Sequence, residues 1–354
     1  MTRAELSAKA LPPGGPDGAG AARGAGGHGT ALHRAARRLR VNPVAMASLL
    51  LLALIVALCL SAPLYARYVA HTDPFPSNLA GTTIVGGKRV PVIQATQGTG
   101  LGETPVGPTW DPRHYLLGAD SQGRDVAARL LYGGRTSLAI GASSAIICCS
   151  IATILALASG FLGGVADAGL SRLMDIVWAF PVFLLAILIS TVSLTQGLHL
   201  GPLSISTTGM GLPIVIISLI YVPYVFRPIR GQVLAIREKE FVKAAILQGA
   251  SSRWLLFSEI LPNVLASVIV FVPLMVAITI LTESGLSFLG IGVQPPGASW
   301  GTIFADGESL IYTRPWVAIA PGIMITLTVI SLNLLGDAVR DALDPRALDS
   351  GRQR

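Results

Sequence analysis

Charge is scarce in this sequence. Asp, Glu, Lys and Arg make up 13% of its 354 residues, about half the roughly 25% of an ordinary soluble domain. That shortfall argues against a water-soluble enzyme, and the 52% hydrophobic content excludes disorder over most of the chain. Cysteine is scarcer still. Cys59, Cys148 and Cys149 all fall inside apolar stretches, without C-x-x-C or metal-ligand spacing. They read as small packing residues. The histidines His28, His33, His71, His114 and His199 all fall outside the long apolar blocks. With no H-E-x-x-H and no Ser–His pairing inside those blocks, an intramembrane protease is a poor fit. Ionisable groups deep in apolar runs would mark a proton or ion relay. Only Asp175 and Glu283 come near, both close to block ends. An energy source outside the chain is therefore expected. A phosphate-loop look-alike, Gly81 to Lys88, has its lysine one position late, and Arg89 stands where a magnesium-binding Ser or Thr belongs.

What the sequence has is long apolar blocks, with a mean hydropathy of +0.64. About 20 apolar residues cross about 30 Å of hydrocarbon. Six blocks qualify: about 44–65, 137–160, 173–193, 211–226, 264–282 and 316–336, the fourth being the weakest, short and containing Pro213 and Pro223. Pro181, Pro213, Pro223, Pro273 and Pro321 lie in or at these blocks, and neighbouring helices can satisfy the backbone groups such residues release. The stretch Gly160 to Gly164 permits close helix contact.

The net charge of +7 is concentrated beside the blocks, which favours a membrane surface over nucleic acid. Lys and Arg number seven in 1–43, one in 161–172, none in 194–210, six in 227–263, one in 283–315 and four in 337–354. The positive-inside rule places both termini and loops 161–172 and 227–263 in the cytoplasm. The long loop 66–136 holds seven, but long loops cross largely regardless of charge. The expected organisation is then a largely disordered cytoplasmic tail (1–43), a first span (44–65) and an extracytoplasmic loop (66–136). A five-helix core (137–336) and a cytoplasmic tail (337–354) follow.

Within loop 227–263, Glu240 to Gln248 favours a helix, with Phe241, Ala244, Ala245 and Gln248 near one stripe. Gly249 fits the position that ends it, Ser251 or Ser252 can cap a second helix, and Pro262 begins the next span. A short helix held across the membrane surface can slot into another protein. Ala244-Ala245, Gly249 and Leu261-Pro262 resemble the "EAA" loop of ABC importer permeases, E-A-A-x3-G-x9-I-x-L-P. Lys243 replaces the usual Glu and Glu259 the usual Ile, while Glu240 lies one turn earlier. The resemblance implies that Glu240, Lys243, Ala244, Ala245, Gly249, Leu261 and Pro262 belong to a coupling element that docks on an ATPase subunit.

A second stretch, His114 to Leu138, is similar to the segment before the second span of dipeptide and oligopeptide permeases. Gly118, Asp120, Gly123, Arg124, Asp125, Arg129, Gly133 and Arg135 match that pattern, and Ala119 and Ala128 depart from it. Arg124 to Tyr132 reads as an amphipathic helix on the outer membrane face. Val126, Leu130 and Leu131 point inward and the two arginines snorkel. Glu283 to Gly301 and the tail Gly336 to Arg346 also resemble this family, so the likeness runs over roughly residues 35–346. A single span, a long outer loop and then the His114 stretch resembles the C-type subunit.

The resemblance implies an all-α membrane protein of six transmembrane helices with the type I ABC importer permease fold and a cytoplasmic coupling helix. It implies a second homologous permease, two ATPase subunits and an extracytoplasmic substrate-binding protein, in the plasma (inner) membrane and without nucleic acid. ATP and magnesium would sit on the ATPases, leaving no cofactor in this chain. A nickel or other small-solute permease, and a non-transporting membrane enzyme or scaffold, remain as alternatives. Loop 66–113 is expected to pack on the partner permease or receive the binding protein.

Overall fold

A computed structural model describes residues 37–95, 102–200, 203–205 and 209–343. Of the expected disordered tail 1–43, residues up to 36 lie outside the described residues, as does the tail beyond 343, while 37–41 are helical. Helix α1 (Pro43–Leu60) starts where Asn42 accepts hydrogen bonds from the Val44 and Ala45 N–H groups, with Pro43 in the first turn. The helical path continues through a π-helical stretch, Tyr65–Ala70, and stops at His71, whose φ of 51° is left-handed.

Among the described residues, three antiparallel two-stranded pairs lie in the connections, an addition to the all-α expectation. In the first, β1 (Thr82–Val85) pairs with β2 (Lys88–Pro91) around Gly86-Gly87, with φ of 57° and 79°. Two consecutive positive φ values demand glycine and match the right-handed twist of a tight hairpin. The phosphate-loop look-alike is therefore this hairpin. Strands β3 (Ile93–Ala95) and β4 (Glu103–Pro105) form the second; β5 (Leu198–Leu200) and β6 (Leu203–Ile205) form the third.

The central element is α2 (Val126–Leu162), 37 residues long. It packs on α1, on α6 (Val222–Arg237) and on α8 (Ser252–Phe288), while α10 (Trp316–Leu343) packs on α1, α8 and α9 (Trp300–Glu308). Among the described residues, four helices (α1, α2, α8 and α10) are long and apolar enough to span a membrane unbroken. Two further candidates are broken pairs. α3 (Gly164–Trp178) meets α4 (Val182–Gln196) at 87°, and α5 (Gly211–Ile220) meets α6 at 43°. The expected continuous span at 173–193 is thus interrupted, where Pro181 offers no N–H and its ring clashes with the preceding turn.

Lipid gives apolar helices no hydrophobic reason to associate, so close packing and polar ties hold them together. Small side chains make α2 the core: Ala145, Cys148, Ala152 and Ala156 are buried against Val225, Phe226, Ile229 and Met275. Near its start, a Cβ on Gly134 would lie 2.3 Å from Cys59 Sγ and 2.8 Å from the Trp300 ring. Gly134→Val is expected to cost about 1–3 kcal/mol through overpacking, read as a lower thermal midpoint of the purified protein. Gly231→Ala, mid-helix in α6 with nothing within 4 Å of the added methyl, should instead stabilise the protein by about 0.5–1 kcal/mol.

Candidate functional site

The two sequence motifs lie at opposite ends of the bundle. One end holds the stretches 71–95 and 102–125 and the connection 289–315; the other holds the turn 238–251.

At the hairpin end, the expected separate interfacial helix does not form. Residues from Val126 are the first turns of α2, and Arg124 and Arg129 are buried, at 5% and 2% exposure, rather than snorkelling. The reason is charge compensation. Asp120 Oδ2 lies 2.7 Å from Arg124 Nε and 3.3 Å from Arg129 Nε. Asp306 Oδ2, on α9, takes the Nη2 groups of both arginines at 2.9 and 3.0 Å. Two cations and two anions alternate around a ring, which makes their burial tolerable. Burial raises the Asp306 carboxyl above its ordinary value, against the pull of the two guanidiniums. Asp120 Oδ1 also accepts the Gln122 and Arg124 N–H groups.

Asp125 caps α2, accepting from Ala127 and Ala128 N–H and from the Thr72 hydroxyl. Gly118 and Gly123 turn the chain with φ of 86° and 74°. Gly133 lets the start of α9 approach, and Arg135 is exposed, 5.8 Å over the Tyr132 ring. The motif is therefore a clasp that closes on α9. Glu283 extends it: the carboxylate is fully buried and accepts from Ser137 Oγ at 2.9 Å and Ser287 Oγ at 2.7 Å. Ser137 Oγ in turn accepts the Trp300 N–H at 3.1 Å. Sequence reasoning passed over Asp306. The signal was three acids, Glu283, Asp306 and Glu308, against one cation in the stretch 283–315, opposite the arginines of 66–136.

At the other end, α7 (Glu240–Leu247) crosses between α6 and α8. Its termination follows the expected geometry. Gly249 has φ 82°, Gly249 N donates to Ile246 O and Ala250 N donates to Ala245 O, the paired bonds of a Schellman ending. Ser251 caps α8 through the Trp254 N–H. Two expectations shift. The helix of the fourth block runs on to Arg237, so the connection is 238–251 rather than 227–263, with Arg227, Arg230 and Arg237 on α6. Leu261-Pro262 sits inside α8, which starts ten residues before Pro262. A π-helical stretch, Leu255–Ile260, precedes this proline, the kind of adjustment that accommodates a missing N–H.

The stripe differs as well. Val242 is the side chain that anchors α7, at 1% exposure, while Leu247 is 88% exposed and Phe241, Ile246 and Trp254 are also open. Ala244 is exposed and Ala245 half-buried. Lys243 Nζ pairs with Glu238 at 3.1 Å, and Glu240 occupies the first turn of α7. Arg237 donates to the Gly160 and Phe161 carbonyls, and Arg230 pairs with Asp167, which also accepts from Ser159. These ties fasten α6 to the α2–α3 corner.

Long apolar helices fastened by polar clasps at both ends define a multi-pass integral membrane subunit. Residues 151–349 match the family described as binding-protein-dependent transport system inner membrane component. Residues 30–80 match the N-terminal transmembrane domain of oligopeptide transport permease C. The oligopeptide transport system permease protein OppC of Haemophilus influenzae is 34% identical over 313 residues, 88% of each chain. The glutathione transport system permease protein GsiD of Pectobacterium atrosepticum is 37% identical over 70% of this chain and 75% of its own. The di/tripeptide transport system permease protein DppC of Pseudomonas aeruginosa is 38% identical over 68% and 76%. A chain of the inward-facing MetNI methionine ABC transporter aligns over 60% of this chain and 96% of its own, with 17% identity and a TM-score of 0.47. The chain belongs to the inner-membrane permease family of binding-protein-dependent ABC importers, as a C-type subunit of the dipeptide and oligopeptide branch. It is a membrane subunit of a transporter, not itself an enzyme.

Proposed function

We propose that this chain forms one half of the membrane path of an ATP-driven peptide importer, working with a homologous permease, two ATPase subunits and an extracytoplasmic binding protein. The substrate class is supported by the names of its relatives, which carry oligopeptides, di- and tripeptides and glutathione. The mechanism is carried by one observation: the apolar side chains that α7 leaves open at the turn between α6 and α8. An ATPase groove that covers Phe241, Ile246 and Leu247 would hold α7. Its motion would pass through connections of two and four residues into α6 and α8. The Arg230 and Arg237 ties then carry it to α2 and α3. Nucleotide state would bias two arrangements of the bundle, which is what such coupling requires.

In this reading α7 faces the cytoplasm, both termini lie on that side, and the hairpin end faces outward to receive the binding protein. The test is affinity purification of the chain from its native membrane. An ATPase and a second multi-span permease are expected to co-elute, and a chain that elutes alone and transports in sealed vesicles would overturn the proposal.

A further inference from the structure

The helix breaks converge on a group of side chains that the clasps do not use. Asp175 on α3 pairs with Arg227 on α6 at 2.9 Å, and both side chains stay about half exposed, at 53% and 46%. Trp178 ends α3 directly before the 87° bend, with the Arg227 guanidinium 5.6 Å from its ring centre. Tyr224 lies 6.0 Å from Trp178, and Tyr221, at the α5–α6 break, lies 6.5 Å from Tyr224. The depth of this group follows from helix contacts. Gly160 of α2 meets Val233 of α6. Arg227 lies six residues before Val233 on α6, about 9 Å deeper into the bundle. That level falls within the apolar run of α2.

An exposed ion pair at that depth cannot face hydrocarbon cheaply, and such residues turn toward a bundle interior or a water-filled cavity. Broken helices at membrane depth obey the same constraint. The charges and the two breaks therefore point independently to one wetted face.

Resting on the peptide-import reading above, we propose that Asp175 and Arg227, set beside Trp178 and Tyr224, line the substrate path and engage the charged termini of a peptide in transit. A free peptide carries an α-ammonium and an α-carboxylate. Asp175 is the complement of the first; Arg227 offers the planar fork that carboxylates accept bidentately. Without cargo the two residues neutralise each other. The aromatic faces contact side chains of varied shape without demanding particular hydrogen bonds, which suits a carrier of varied sequences.

The test uses the whole transporter with its binding protein and ATPases in proteoliposomes, with trialanine as probe. The native cysteines are buried, so Asp175→Cys and Arg227→Cys report cleanly. Both should react with a charged, membrane-impermeant methanethiosulfonate, and trialanine at about ten times its half-saturating concentration for that variant should slow the reaction roughly tenfold by occupying the path. Absence of labelling, meaning that lipid or the partner subunit covers this face, overturns the proposal, as does labelling indifferent to trialanine. Should the cysteine variants fail to assemble, Asp175→Asn and Arg227→Lys replace them. A KM for trialanine raised roughly tenfold in either supports the site, and a KM unchanged in both overturns it. A wild-type transporter that takes up no peptide at all would instead defeat the peptide reading itself, separately from the placement of the face.

Discussion

Arg129→Ala should destabilise the protein by about 3–5 kcal/mol, the usual cost of breaking a buried charge pair by removing one partner. Asp120 and Asp306 would remain in place with only Arg124 between them, and Asp120 is fully buried. The expected readout is a sharp fall in the yield of folded protein from detergent and a lower midpoint in its thermal denaturation. Asp306→Asn is the informative partner. It keeps an oxygen that can accept from Arg124 and Arg129, so it should cost less than Arg129→Ala. If Arg129→Ala purifies and melts like the parent chain, the ring of charges is not what fixes α9 to the start of α2.

Gly249→Glu should abolish substrate-stimulated ATP hydrolysis and uptake while leaving membrane insertion intact. Space is not the reason, because an added Cβ meets nothing within 4 Å. Conformation and charge are. A non-glycine residue at φ 82° costs about 1–2 kcal/mol, and an unpaired carboxylate beside Leu247 and Trp254 would oppose an apolar partner surface. Gly249→Ala incurs only the first cost and should retain measurable coupling. Uptake by reconstituted transporter separates the two, with a loss of at least roughly tenfold expected for Glu. Undiminished uptake by that variant removes α7 from the coupling route.

Both predictions concern regions that the sequence exposed unequally. The long helices were readable because their apolar runs exceed anything a soluble core needs, and the turn at Gly249 because its chemistry is local. The clasp was not. Arg124, Arg129 and Leu130 have the periodicity of an interfacial helix, and periodicity cannot see that Asp306, 177 residues after Arg129, waits to neutralise them. The end of α6 was set too early for the same reason. Arg227 and Arg230 look like loop residues until Asp175 and Asp167 are placed beside them. At Gly86-Gly87 the misplaced lysine and Arg89 were enough to set the nucleotide motif aside, but that the glycines instead turn a hairpin is seen in their backbone angles.

The length of α2 has a consequence of its own. Its 37 residues extend about 55 Å, well beyond the roughly 30 Å of a hydrocarbon slab. If the apolar run from about 137 is the immersed part, the first eleven residues stand proud of the lipid like a mast. The charged clasp is then rigged above the headgroups. Thinner or thicker bilayers would slide along the shaft without straining the ring of arginines and aspartates, so this end of the bundle should keep its shape across lipids of different chain length.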